Sequence, residues 1–61
     1  MLLTVTEIRQ DHGTIVVFDA ETEDGRPVGL AVDHRPARDL AQALDLNGPL
    51  QVEAEGWQVI G

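Results

Sequence analysis

The stretch from Thr14 to Asp33 constrains the fold more than any other part of the chain, because it has the pattern of two β-strands joined by a short turn. Its first half, TIVVFDA, is rich in β-branched and aromatic residues, and its second half, VGLAVD, alternates large with small or polar residues. The sequence EDGR at residues 23–26 lies between them and has the composition of a turn. This stretch therefore predicts an antiparallel hairpin.

The hydrophobic pattern selects one register for the hairpin. A two-residue turn would place Leu30 opposite Asp19 and mix carboxylates into the apolar face, whereas a three-residue loop at residues 24–26 places Val32 opposite Phe18. We therefore predict the three-residue loop. The apolar face that results consists of Val16, Phe18, Ala20, Val28, Leu30 and Val32.

Residues 2–9 predict a further strand that pairs with the first arm of the hairpin. In the register that we expect, Leu3 meets Ala20 and Val5 meets Phe18. The apolar residues of all three strands then share one face, which is the predicted core.

The opposite face of these strands would carry Ile8 beside Ile15, with Val17 next along. Three β-branched residues are more apolar surface than an outer face usually exposes. Two explanations stay open: the sheet coils and buries these side chains against its own end, or they contact a partner or a second copy. Ile8, Ile15 and Val17 are therefore the candidate interface.

After Val32 the period of the pattern changes from that of a strand to that of a helix. Apolar residues at positions 37, 40, 41 and 44 predict an amphipathic helix from Arg35 to Leu46. Asp33 is the expected N-cap acceptor, and Gly48 followed by Pro49 is expected to end the helix.

The remaining residues predict a second hairpin. A tight turn at residues 55–56 would place Ala54 opposite Trp57 and Val52 opposite Val59, again on one face. The predicted element order is therefore β-β-β-α-β-β.

That order predicts a mainly β fold with one helix, in a single small domain over residues 1–61. We expect a small five-stranded antiparallel barrel, OB-like or SH3-like, because closure removes exposed sheet edges. The alternative is an open α+β two-layer sheet with one helix. A chain of this size buries only about 60% of its unfolded surface, so we expect a homo-oligomer or a protein partner.

The charge balance is strongly acidic, with 11 Asp and Glu residues against four Arg, and a net charge of −7. Such a chain repels phosphate backbones and anionic lipids, so we expect neither non-specific nucleic-acid binding nor membrane association. No apolar run approaches the roughly 20 residues that span a bilayer, and no signal-peptide pattern begins the sequence. A cytoplasmic location is therefore the expectation.

The composition offers little for catalysis. The chain has no Cys, Ser, Lys or Tyr and no glycine-rich phosphate loop, so we expect no enzyme, no catalytic residue and no cofactor. The Asp-His pairs at residues 11–12 and 33–34 are of metal-ligand type. Strand spacing nevertheless keeps His12 roughly 10 Å from His34, so we predict no metal site.

His34, Arg35 and Arg38, near the predicted helix start, form the only basic cluster and are the candidate anion-binding residues. The acidic residues between positions 19 and 24 are either a solvated hairpin tip or a docking site for a basic partner.

Taken to function, these patterns predict a non-catalytic protein-binding or self-associating module. The first alternative is a nucleic-acid- or anion-binding OB-like barrel. It is weakened because Phe18 and Trp57 point into the predicted core and leave no base-stacking platform. The second alternative is an acidic mimic of nucleic acid, with carboxylates spaced like phosphates.

Overall fold

A computed structural model of residues 1–61 contains five strands and one helix in the predicted order. The elements are β1 (Leu2–Asp11), β2 (Ile15–Glu21), β3 (Pro27–Asp33), α1 (His34–Asn47), β4 (Leu50–Glu53) and β5 (Gln58–Ile60). The helix predicted from Arg35 to Leu46 is confirmed and is one residue longer at each end.

The five strands form one sheet in the order β4-β1-β2-β3-β5, and every neighbouring pair is antiparallel. No ladder joins the edge strands β4 and β5, so the sheet is open. The predicted barrel is therefore not confirmed, whereas a mainly β architecture with five antiparallel strands and one helix is.

The link between β4 and β5 shows that the open sheet is strongly curled. Only residues 54–57 join the two edges, and a hydrogen bond from the Trp57 N–H to the Ala54 carbonyl oxygen (3.0 Å) folds them into a turn. Even fully extended, such a link spans at most about 18 Å. The edges of a flat five-stranded sheet would lie about 19 Å apart. The edges must therefore bend toward each other around the core.

The predicted second hairpin is half right. The turn at residues 55–56 is present, with Gly56 at φ 86°. The predicted pairing of Val52 with Val59 is wrong, because Val52 pairs with Leu3 of β1 and Val59 with Leu30 of β3. The three-stranded part of the sheet, β1-β2-β3, is thus extended by β4 beside β1 and by β5 beside β3.

The central hairpin has the predicted faces but a register shifted by two residues. Phe18 pairs with Leu30, not Val32. The three-residue loop begins at residue 23, one position earlier than predicted, and is closed by a hydrogen bond from the Thr22 N–H to the Arg26 carbonyl oxygen (2.9 Å). The cause is Gly25, which at φ 86° is the last residue of the loop, as a type I turn followed by a left-handed residue requires.

The register of β1 departs further from the prediction. Val5 pairs with Ala20 and Ile8 with Phe18, so the expected pairs of Leu3 with Ala20 and Val5 with Phe18 are wrong. The register shifts twice, between residues 5 and 7 and between residues 8 and 10. Each β-bulge adds an unpaired residue and changes the side of the sheet to which the following residues belong.

The core lies between one face of the sheet and α1. Phe18 and Leu30 are completely buried at its centre, and Trp57 is half-buried against it. All six residues of the predicted hairpin face are buried or half-buried. The buried residues are Leu3, Val5, Val16, Phe18, Ala20, Leu30, Val32, Ala37, Leu40 and Ala54.

Both ends of α1 are fixed by backbone groups. At the C-terminus Gly48, at φ 73°, donates its N–H to the Leu44 carbonyl oxygen (2.8 Å), which confirms the predicted stop. At the N-terminus Asp33 makes no side-chain cap hydrogen bond, so its predicted acceptor role is wrong. The adjacent His34 N–H instead donates to the Thr14 carbonyl oxygen (3.0 Å), which ties the helix to the start of β2.

The single helix is too short and too polar to cross a bilayer.

Candidate functional site

The face of the sheet opposite α1 is not covered by any other element, and we call it the open face. Cross-strand partners share a face, so the pairing of Val17 with Ala31 and of Asp19 with Gly29 places these residues together on it. Their neighbours along the strands, Val16, Phe18 and Leu30, point into the core. In a two-layer protein a single helix leaves one sheet face to solvent.

An apolar strip crosses the open face diagonally from β2 to β5. Ile15 and Ile60 at its ends are each 42% exposed, and Val17 and Ala31 between them are half-buried. Val17 of β2 pairs with Ala31 of β3. Gly29, the next residue of β3 on the same face, pairs with Ile60 of β5, so the strip is continuous across the three strands. We call Ile15, Val17, Ala31 and Ile60 the apolar strip.

Arg9 lies across the middle of the open face. From the second bulge of β1 it donates from Nε to Asp19 Oδ1 on β2 and reaches the Val28 carbonyl oxygen through Nη2 (3.5 Å). A Cβ atom on Gly29 would lie 2.9 Å from Arg9 Nη1, so glycine at this position makes room for the guanidinium. A glycine inside a strand often marks such a close approach, and it is the one sequence signal for this contact.

The end of the open face near the β2–β3 loop is acidic. A groove of about 450 Å³ lies there, with two carboxylates, from Glu21 and Glu23, on its walls. The remaining lining residues are Leu2, Thr4, Thr22, Gly25 and Gln51. The protein has three ion pairs, Met1 with Glu53, Arg9 with Asp19, and Arg26 with Asp24. Glu21 and Glu23 belong to none of them.

The open face as a whole is negatively charged. By cross-strand pairing it carries five carboxylates and only one cation, Arg9. The carboxylates are those of Glu7, Asp19, Glu21, Asp33 and Glu53. The Glu53 carboxylate accepts a hydrogen bond from the Met1 ammonium and raises the pKa of that amine above its ordinary value of 8.0. Even with this partner counted, negative charge prevails around the apolar strip.

The predicted interface residues fall on two different surfaces. Ile15 and Val17 lie on the open face, as expected. Ile8, paired with Phe18, lies on the helix side and is 48% exposed, so its predicted position beside Ile15 is wrong. The physical reason is the bulge at residue 6, which moves Ile8 to the other side of the sheet.

The predicted anion-binding residues are only partly brought together. His34 and Arg38 line a cavity of about 320 Å³ between α1 and the end of β1, near Ile8, whereas Arg35 lies outside it. Neither Arg35 nor Arg38 forms an ion pair. The acidic side chain of this cavity, Asp11, accepts a hydrogen bond from the Gly13 N–H (2.8 Å).

The structure groups no three His, Cys, Asp or Glu side chains in a way that could hold a metal ion.

The sheet edges disfavour contact by strand addition. β4 pairs only with residues 2–5 of β1, so the outer edge of β1 beyond residue 5 is unpaired. Both bulges lie in this free segment, together with the charged side chains of Glu7 and Arg9. β5 is only three residues long. Bulges, charges and short edge strands are the features that block edge-to-edge pairing, so the open face is the better contact surface.

The chain matches no protein-family model, and no curated protein or solved structure is significantly similar to it. The geometry and charge of the open face therefore carry the functional argument.

Proposed function

We propose that this protein is a non-catalytic protein-binding or self-associating module whose contact surface is the open face. The observation that supports this most directly is the uncovered apolar strip in the middle of a sheet face, in a chain with an otherwise acidic surface. Apolar patches rimmed by polar residues mark sites of protein contact.

The size of the chain supports the same proposal. With ten buried core residues and no disulfide, 61 residues can supply only a marginal stability. Each Å² of apolar surface that a second chain covers adds about 25 cal/mol. Contact through the apolar strip would therefore stabilise the fold as well as join two chains.

The composition favours binding over catalysis. Without Cys, Ser, Lys or Tyr, the side chains left for nucleophilic chemistry are those of Thr, His and the carboxylates. On the open face the Asp19 carboxylate pairs with Arg9. The Thr6 Oγ1 donates to the Asp19 carbonyl oxygen of β2 (3.2 Å), so this hydroxyl is engaged by the backbone.

A second candidate function, anion or nucleic-acid binding by an OB-like barrel, is favoured by one observation. Arg35 and Arg38 form no ion pair in a chain with 11 acidic residues. Two features weigh against it: Phe18 is 0% exposed, and Trp57 packs against the core. The Phe18 ring therefore cannot stack on a base, and the half-buried Trp57 offers only part of its ring.

The test of the proposed function compares two isoleucines of similar exposure on opposite sides of the sheet. Ile15→Thr alters the apolar strip, and Ile8→Thr is the matched control on the helix side. Sedimentation equilibrium and amide chemical shifts are followed as the protein concentration rises to millimolar, in 1 M NaCl to screen the net charge.

We expect weak, concentration-dependent shifts on the open face that Ile15→Thr reduces and Ile8→Thr preserves. The proposal would be wrong if the protein stayed monomeric at every concentration and neither substitution altered the binding of any added polypeptide. Single-stranded DNA at low salt tests the second candidate, because phosphate attraction is strongest there.

A further inference from the structure

The charge around the apolar strip distinguishes between possible occupants of the open face. Two copies placed face to face would bring both sets of five carboxylates together, against only Arg9 and the Met1 ammonium from each copy. Like charges in opposition disfavour such a pair, and opposite charges favour association. A second copy is therefore the poorer occupant at ordinary ionic strength.

We propose that the natural occupant of the open face is a basic polypeptide segment that places an apolar side chain on the strip and a Lys or Arg in the acidic groove. This inference rests on the proposed function, because it names the partner of the same surface. Glu21 and Glu23 line the groove and form no ion pair within the chain, although Met1 and Arg26 line a neighbouring pocket that shares Glu23 with the groove. A cation from outside would therefore meet two carboxylates that no basic side chain pairs with.

The geometry also sets the spacing of the partner's groups. Val17 of the strip and Glu21 of the groove point to the same side of β2, four residues apart. At about 3.3 Å per residue of strand, they lie about 13 Å from each other. An extended partner segment therefore has its apolar residue and its basic residue four positions apart.

Arg9 limits where the basic group can sit. Its guanidinium lies over Gly29 and pairs with Asp19, so the centre of the open face already holds a positive charge. A second cation there would be repelled, whereas none of the residues that line the groove is basic. The partner's cation is therefore directed to the groove and away from the middle of the sheet.

The probe for this inference is the capped heptapeptide ITITKTK, in which the second Ile and the second Lys are four positions apart. Two variants serve as controls: ITITQTQ, which lacks the charge, and ITITETE, which reverses it. Binding to the full chain is followed by amide chemical shifts at 20 mM NaCl and again at 1 M NaCl.

We expect ITITKTK to bind more tightly than ITITQTQ, ITITETE not to bind, and the affinity for ITITKTK to fall as salt rises. The double substitution Glu21→Gln and Glu23→Gln should weaken binding about threefold to tenfold, as the loss of two exposed ion pairs implies. The double substitution Asp39→Asn and Asp45→Asn removes the same charge from the exposed side of α1 and should leave binding unchanged.

Two results would overturn the inference in distinguishable ways. In the first, ITITKTK and ITITQTQ bind equally, Ile15→Thr weakens both, and their affinity rises with salt. The open face would then be a docking site for another chain, but not for a basic one. A self-association tighter at 20 mM NaCl than the binding of either peptide would identify that chain as a second copy. If no peptide shifted the open face and Ile15→Thr changed nothing, the proposed function itself would fail.

Discussion

The sharpest test of the fold compares two neighbouring residues of β2 that point in opposite directions. Phe18 is 0% exposed and pairs with Leu30 at the centre of the core, whereas Val17 is half-buried on the open face. We predict that Phe18→Ala strongly destabilises the protein and that Val17→Thr leaves its stability nearly unchanged.

The magnitudes follow from burial. Removing a buried Phe ring destabilises a protein by about 3–5 kcal/mol, because transfer free energy is lost and a cavity remains. At about 0.05–0.15 kcal/mol per residue, a chain of this length has a total stability of about 3–9 kcal/mol. Phe18→Ala therefore removes from about a third to all of it. Val17→Thr keeps a β-branched side chain in the strand, so its effect should stay under about 1 kcal/mol.

Urea denaturation followed by the fluorescence of Trp57, the only tryptophan, measures both changes. Far-UV circular dichroism in water shows whether the Phe18→Ala protein retains structure at all. The intermediate substitution Phe18→Leu keeps the measurement within range if the alanine variant is unfolded. A Phe18→Ala protein as stable as Val17→Thr would refute the assignment of core and open face, and the proposed contact surface with it.

Three further predictions concern the ends and turns of the fold. Gly48→Ala should lower the free energy of unfolding by about 1–2 kcal/mol in urea denaturation, because an alanine is strained at φ 73°. The added methyl group would meet open space, so it neither clashes nor packs. Thermal stability should be highest below pH 8.0, where the Met1 ammonium is charged in both states, and should fall as the pH rises through the raised pKa of that amine. Glu53→Gln should reduce this dependence in melts from pH 7 to 10, because the hydrogen bond to Glu53 is its largest cause. Asp33→Ala should change the free energy of unfolding in urea by less than about 0.5 kcal/mol, because the Asp33 side chain caps no helix N–H. Thr22→Ala should lower it by about 1 kcal/mol, because Thr22 Oγ1 accepts a hydrogen bond from the Arg26 N–H (3.0 Å).

The features of the fold that depend on a periodic sequence pattern could be predicted. A period of two residues decides which side chains of a strand point inward, and a register error of two residues leaves that decision unchanged. This is why Phe18 and Leu30 were assigned to the core although their pairing was wrong. The helix could be predicted for the same reason, from its own period and from Gly48.

Features set by long-range contacts could not be predicted. The bulges at residues 6 and 9 lie in the pairing of β1 with β2, and no local pattern marks them. They place Ile8 on the helix side and Arg9 across Gly29. The separation of β4 from β5 likewise depends on the free edges of β1 and β3, whereas the sequence between the two strands suggests only a turn.

The candidate site divides in the same way. Ile15 and Val17 were predicted because they belong to a strand whose alternation is regular. Ala31 and Ile60 complete the apolar strip, but they join it only through the pairing of β2 with β3 and of β3 with β5. A contact surface that spans three strands therefore cannot be read from any one of them.

The open face follows from the presence of one helix beside a five-stranded sheet. The single helix, 14 residues and about 21 Å long, covers one side of the sheet, and a second layer would need another helix and its connection. A face left to water must be polar enough to keep the protein soluble, yet it must still consist of strands with β-branched residues. The combination of Val17 and Ile15 with Arg9, Gly29 and surrounding carboxylates meets both requirements. The same combination defines what can cover the face, because a partner must match the apolar strip and an acidic margin at once, and a copy with the same acidic margin does not.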